Sequence, residues 1–196
     1  NTSALQTAVN LWIDDNATAL ATYGHISDWD VSSITNMSAL FYGTDFNDDI
    51  SGWDVSSVTN MAYMFLDNHS FNQDLSNWDV SSVTNMDTMF GQATSFTSDL
   101  SNWDVSSLTY AYALFSNTTN FNSDLSSWDV SNVTIMNSMF TSSGFKGDVS
   151  TWVVSNVTSM QALFHGNHNF NQDISNWDVS SVTNMRNMFG NATAFN

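Results

Sequence analysis

The string FNQDLSNWDVSSVTNMDTMF, which runs from Phe71 to Phe90, returns with small changes along nearly the whole chain, and this restricts the fold to a repeating one. With tryptophan as the marker, copies begin at Trp29, Trp53, Trp78, Trp103, Trp128, Trp152 and Trp177, a period of 25 residues shortened to 24 in two places. A unit of this size cannot bury an apolar face alone. It does so against its neighbours, so the expected object is a solenoid of seven stacked copies over residues 25–196.

The copies separate positions fixed by packing from positions left free. All 14 Phe fall in two columns, one running from Phe41 through Phe65 and Phe90 to Phe189, the other from Phe46 through Phe71 and Phe96 to Phe195. Seven of the 8 Trp form a third column and all 10 Met lie in two more. Residues of one column sit one above another in a stack, so these are read as continuous core.

Within a unit, Leu75, Trp78, Val80, Val83 and Met86 follow the spacing of a leucine-rich repeat, with Trp and Met replacing two leucines. Trp78-Asp79-Val80 is therefore expected as a strand with Asp79 facing out. Ser81 and Ser82 are suited to cap a helix, and Val83, Met86, Met89 and Phe90 stand at helical spacings after them. The expected fold class is an α/β repeat: a right-handed, leucine-rich-repeat-like solenoid of seven strand-helix units. Residues 1–24 fall outside the period. Leu5, Ala8, Val9, Trp12 and Ile13 share one helical face after Ser3, and Asn16 to Tyr23 form a second short helix ending at Gly24, so this segment reads as an N-terminal helical cap.

Charge narrows the partners. The 196 residues carry 19 acidic side chains, every one Asp, against Lys146 and Arg186, a formal net charge of −17. Such a surface repels phosphate backbones and anionic lipid, which argues against nucleic acid and direct membrane contact and favours neutral, basic or cationic partners. No run of about 18 apolar residues is present to span a bilayer. Cysteine is absent, which removes disulfides, thiolate metal sites and cysteine nucleophiles. The start at Asn1, with no signal-like apolar segment, is what a processed protein or a fragment of a longer one would show.

Two acidic columns recur. Asp30, Asp54, Asp79, Asp104, Asp129 and Asp178 follow the Trp, with Val153 as the exception, and form the candidate binding row on the exposed face. Asp49, Asp74, Asp99, Asp124, Asp148 and Asp173 precede it. Stacked copies place like charges about 4.8 Å apart, which in water costs only about 0.9 kcal/mol per pair. For the second column, acceptance of backbone N–H bonds is expected ahead of calcium held between copies, because no D-x-D-x-D-G loop or glycine-rich nonapeptide is present. Columns of Ser and Thr raise an ice-binding surface as a further alternative, although short hydroxyls more often serve local backbone groups. No catalytic residue is expected: His25, His69, His165 and His168 do not recur, and no base is paired with any of the serines.

The recurrent F-N-x-D-L-S-x-W-D-V-S-S-V-T-N-M-x-x-M-F resembles the repeat of the BspA-like, lipoprotein-associated surface proteins of bacteria and some unicellular eukaryotes, over residues 25–196. The resemblance implies a leucine-rich-repeat-like solenoid, secreted or at the cell surface, associated with adhesion or with host and matrix contact, and it carries no enzymatic site. Val153 for Asp, Tyr110-Ala111 for Asn-Met and Ile135 for Asn depart from the pattern. The expected function is an extracellular interaction module meeting a protein or glycan through the acidic row, without catalysis and without a cofactor unless calcium joins the copies. The alternative is a structural subunit of a surface filament, self-associating through a C-terminal end that stops at Phe195-Asn196 with no polar capping unit.

Overall fold

The computed structural model describes all residues, 1–196. Its two α-helices both lie before the first repeat: α1, Thr2–Asp14, and α2, Asn16–Tyr23, followed by one 3₁₀ turn, Ile26–Asp28. Asn1, rather than Ser3, caps α1 by accepting the Ala4 N–H at 2.9 Å. Asp15 ends α1 and caps α2, accepting the Thr18 N–H at 3.1 Å. Leu5, Ala8, Val9 and Trp12 of α1 are buried, while Ile13 is exposed.

The rest of the chain stacks copy upon copy, but not as strand-helix units. The expectation of an α/β leucine-rich-repeat-like solenoid is overturned: there is no sheet, and no helix follows residue 28. Trp78-Asp79-Val80 pairs with no neighbouring strand; β-type pairing is limited to single parallel bridges, among them Asn60 to Asn85 and Asn85 to Tyr110, within the segment expected to be helical.

Hydrogen bonding explains the substitution. A helix directs each N–H to a carbonyl four residues back and leaves nothing for a neighbour. Here alternate N–H groups go elsewhere: Met61, Tyr63, Phe65 and Asp67 donate to the carbonyls of Asn85, Asp87, Met89 and Gly91 in the next copy. Those between them turn back, as Met64 to Met61 at 3.2 Å and Leu66 to Tyr63 at 3.2 Å. The forward direction requires left-handed backbone at every fourth residue, seen at Tyr63 (φ 62°) and Asp67 (φ 58°), Thr88 and Gln92, Ala113 and Asn117. Few of these positions are glycine, although non-glycine residues give up about 1–2 kcal/mol there. Bonding to the neighbouring copy offsets that cost.

The core is one cluster running the length of the stack, made of the Phe, Trp, Met and Val columns. Within a copy the two Phe rings stack with centroids 3.9 Å apart for Phe65 and Phe71. Between copies they repeat at 5.6 Å for Phe65 and Phe90 and 6.1 Å for Phe71 and Phe96, nearly parallel. Each buried indole also donates to the copy before it: Trp78 Nε1 to the Ile50 carbonyl at 3.1 Å, Trp103 to Leu75 at 2.9 Å, Trp128 to Leu100 at 3.0 Å. The Trp side is thus tied by side chains, and the Met-Phe side by backbone.

Helix α1 takes the place of a preceding copy. The Asn60 and Met64 carbonyls receive N–H groups of Met37 and Phe41. Their counterparts in the first copy, the Asn36 and Leu40 carbonyls, receive Thr2 Oγ1 at 3.0 Å and Gln6 Nε2 at 3.2 Å from α1. Trp12 Nε1 adds a bond to Asp48 Oδ2 at 2.7 Å.

Candidate functional site: the acidic rows

Both Asp columns are built by one local device, D-x-S. Asp79 Oδ1 accepts the Ser81 N–H at 3.0 Å and its hydroxyl at 2.6 Å. Asp74 Oδ1 accepts the Ser76 N–H at 2.9 Å. Each turn is closed by a bond three residues long, Val83 to Val80 at 2.9 Å and Trp78 to Leu75 at 3.1 Å. A short carboxylate bonding its own backbone two residues on is the reason Asp suits these positions, and Glu, one methylene longer, does not occur.

The candidate row Asp30, Asp54, Asp79, Asp104, Asp129 and Asp178 is exposed throughout. The hydroxyls and N–H groups of Ser32, Ser56, Ser106, Ser131 and Ser180 hold Asp30, Asp54, Asp104, Asp129 and Asp178 below the usual carboxylate range. Neighbouring charge works weakly the other way, Asp30 on Asp54 and Asp104 on Asp129. The second column behaves alike: serine bonds lower Asp49, Asp74, Asp99, Asp124, Asp148 and Asp173. Chemically, the rows are carboxylates fixed in place, with one oxygen used internally and the other facing water.

The remaining polar columns are occupied within the fold. Thr84 Oγ1 donates to the Thr59 carbonyl at 3.2 Å and Thr109 Oγ1 to Thr84 at 2.9 Å, so the regular hydroxyl donors point into the stack rather than into a water lattice. Asn72 Oδ1 accepts the Thr97 N–H at 2.8 Å, which gives the Asn of F-N its role. Buried Asn68 serves the Phe46 carbonyl at 2.9 Å and the Phe71 N–H at 3.0 Å. No three His, Cys, Asp or Glu side chains converge on a point where a metal ion could sit. His165 is half-buried and its Nδ1 has no partner, while His168 Nδ1 lies 3.1 Å from Thr193 Oγ1; the two do not share a site.

One group stands apart from the repeat. Tyr63, Tyr110 and Tyr112 are exposed, and the backbone N–H groups of Tyr63 and Tyr112 bond half-buried Asp87. Sequence reasoning met this group only as a gap in the pattern at Tyr110-Ala111; the signal that could have found it was large aromatics in columns otherwise filled by small or polar residues.

A stack of short, mutually bonded copies bearing ordered carboxylate rows defines a repeat protein with an acidic display surface. Residues 12–126 and 110–196 match the family described as "Mycoplasma protein of unknown function, DUF285", and the chain belongs to that family. No curated protein and no solved structure matches. No helix is long and apolar enough to cross a membrane.

Proposed function

We propose that the chain is a non-catalytic interaction module, displayed at a cell surface or secreted, that meets a basic protein surface through Asp30, Asp54, Asp79, Asp104, Asp129 and Asp178. The observation that carries this reading is that local serine bonds fix an exposed row of carboxylates in place. Fixed charges steer an oppositely charged partner without the entropy loss of ordering long side chains. The test is binding of immobilised poly-lysine by the native chain and by the triple variant Asp79→Asn, Asp104→Asn, Asp129→Asn, across a salt series. The variant keeps an amide oxygen for the serine N–H, so folding is retained while affinity and its salt slope fall. Equal binding and an equal slope would remove the row from the contact.

A structural role is the second reading, favoured by the last copy, where Val179 and Met185 are exposed. Concentration-dependent sedimentation of the native chain, lost in Val179→Asp, would support end-to-end assembly.

A further inference from the structure

We propose that Tyr63, Tyr110, Tyr112 and Asp87 form an anchoring site for an arginine- or lysine-bearing segment of a partner protein. The proposal rests on the interaction-module reading and adds the place and chemistry of a specific contact. Three consecutive copies supply the group, and the backbone joins it: Tyr63 N–H donates to the Asp87 carbonyl at 2.8 Å, Tyr112 N–H to Asp87 Oδ1 at 2.9 Å, and Thr88 N–H to the Tyr112 carbonyl at 2.7 Å. Tyr110 and Tyr112 flank buried Ala111, and both are exposed.

The fold does not require these side chains. The column of Tyr110 holds Asn36, Asn60, Asn85 and Asn184 in other copies, and that of Tyr63 holds Ala39, Ala113 and Ala162. Tyr63 moreover keeps a bulky ring at φ 62°, where an aromatic residue is disfavoured. None of the three phenol hydroxyls bonds within the protein, and Asp87 Oδ2 has no partner. Burial pushes the Asp87 carboxyl up, so a cation beside it would relieve an unfavourable charge. Exposed aromatic faces in copies adjoining a half-buried carboxylate suit a guanidinium or ammonium, through ring quadrupole and charge together.

Charge complementarity selects the occupant. The chain's only cations are Lys146 and Arg186; Arg186 shares a column with Asp87 but stands four copies away. A second copy carries the same net charge of −17 and offers this site no cationic surface. A neutral glycan could lie on the rings but would not need the carboxylate to be charged.

The experiment is calorimetric titration of the native chain with a short peptide of glycine, serine and two arginines, and with its citrulline counterpart, which has the same shape without charge. Replacing Tyr110→Ala and Tyr112→Ala together is expected to weaken the arginine peptide about five- to tenfold with the melting temperature unchanged, because both side chains are exposed, and Asp87→Asn to weaken it comparably. Tyr112→Phe, which keeps the ring face, should bind as the native chain does. Equal affinity for the citrulline peptide would overturn recognition of a cation, and a neutral oligosaccharide bound equally by Asp87→Asn would assign the rings to a glycan. If the tyrosine pair is without effect while the triple Asp row variant loses the peptide, the anchor fails and the acidic row stands. If the native chain ignores the arginine peptide even at low salt, both fail.

Discussion

The first and last copies carry the same columns and fare differently. Val31 is 1% exposed in the first and Val179 is 38% exposed in the last; Met37 is fully buried and Met185 is 41% exposed. The residues are matched in type and in place within the repeat, so the difference lies in what covers them. At one end α1 lies over the copy, with Thr2 and Gln6 supplying the bonds of a neighbour; at the other nothing in the described chain does. Burial in this protein therefore belongs to the pair of copies and not to the unit, as nearest-neighbour stacking requires.

The largest effect should separate the middle of the stack from its end. Trp103→Ala removes a ring packed on both sides and one of the two donors to the Leu75 carbonyl, and should cost about 3–5 kcal/mol. Trp177→Ala removes the same ring from the last copy and should cost roughly half as much, since neighbours on one side are missing. Denaturant melts of both variants decide it; equal losses would mean that a copy is stable by itself.

Next comes the substitute neighbour at the other end. The double variant Thr2→Val, Gln6→Ala leaves the part-buried Asn36 and Leu40 carbonyls without donors and should destabilise by about 1–3 kcal/mol. Were stability untouched, α1 would be only an apolar lid.

Acid should act on every copy alike. Asp30, Asp54, Asp104, Asp129 and Asp178, like the second column, titrate below their unfolded value, so their contribution is present above the ordinary Asp pKa of about 3.9 and is lost as pH falls through the lower folded values. Asp87, shifted upward, works in the opposite sense over the window just above that value. The melting temperature should hold from pH 7 to about 5 and fall below about 4. A rise on acidification would show that repulsion between stacked carboxylates outweighs their serine bonds.

The smallest effect tests the left-handed positions. Gln92→Gly in the third copy should stabilise by about 0.5 kcal/mol, the relief of left-handed strain less the extra freedom of an unfolded glycine. The same change at Asn191, in the last copy where no bond forward is made, should give less, since Asn tolerates this conformation better. Loss of stability in Gln92→Gly would mean the side chain contributes more than its backbone costs.

The interior was legible because period and chemistry agree: Phe65, Phe90, Trp78 and Met86 could occupy no other place in a stacked chain than its core. The path of the backbone was not. Met86, Met89 and Phe90 fit a helix and a series of three-residue turns equally well, and only the destination of the N–H groups, invisible in sequence, separates the two. The D-x-S pair at Asp74 and Asp79 was a readable signal of two turns, and it outweighed the Trp-Asp-Val alternation taken for a strand. Of the site, the exposed row could be placed from sequence; the association of Tyr63 with Asp87 and Tyr112 could not, because it joins three copies.

The forward bonds of the Met-Phe side give the whole stack a sense of direction. Four amides per copy point the same way, so their dipoles add along the axis as they do in a helix, with the positive end at the last copy. There Met185, Asn187, Phe189 and Asn191 hold out four N–H groups in a line without internal acceptors. A segment lying against that edge would meet those donors with carbonyls. The opposite end carries no matching free row: its Asn36 and Leu40 carbonyls are already taken by Thr2 and Gln6 of α1, so the two faces of the stack differ in kind.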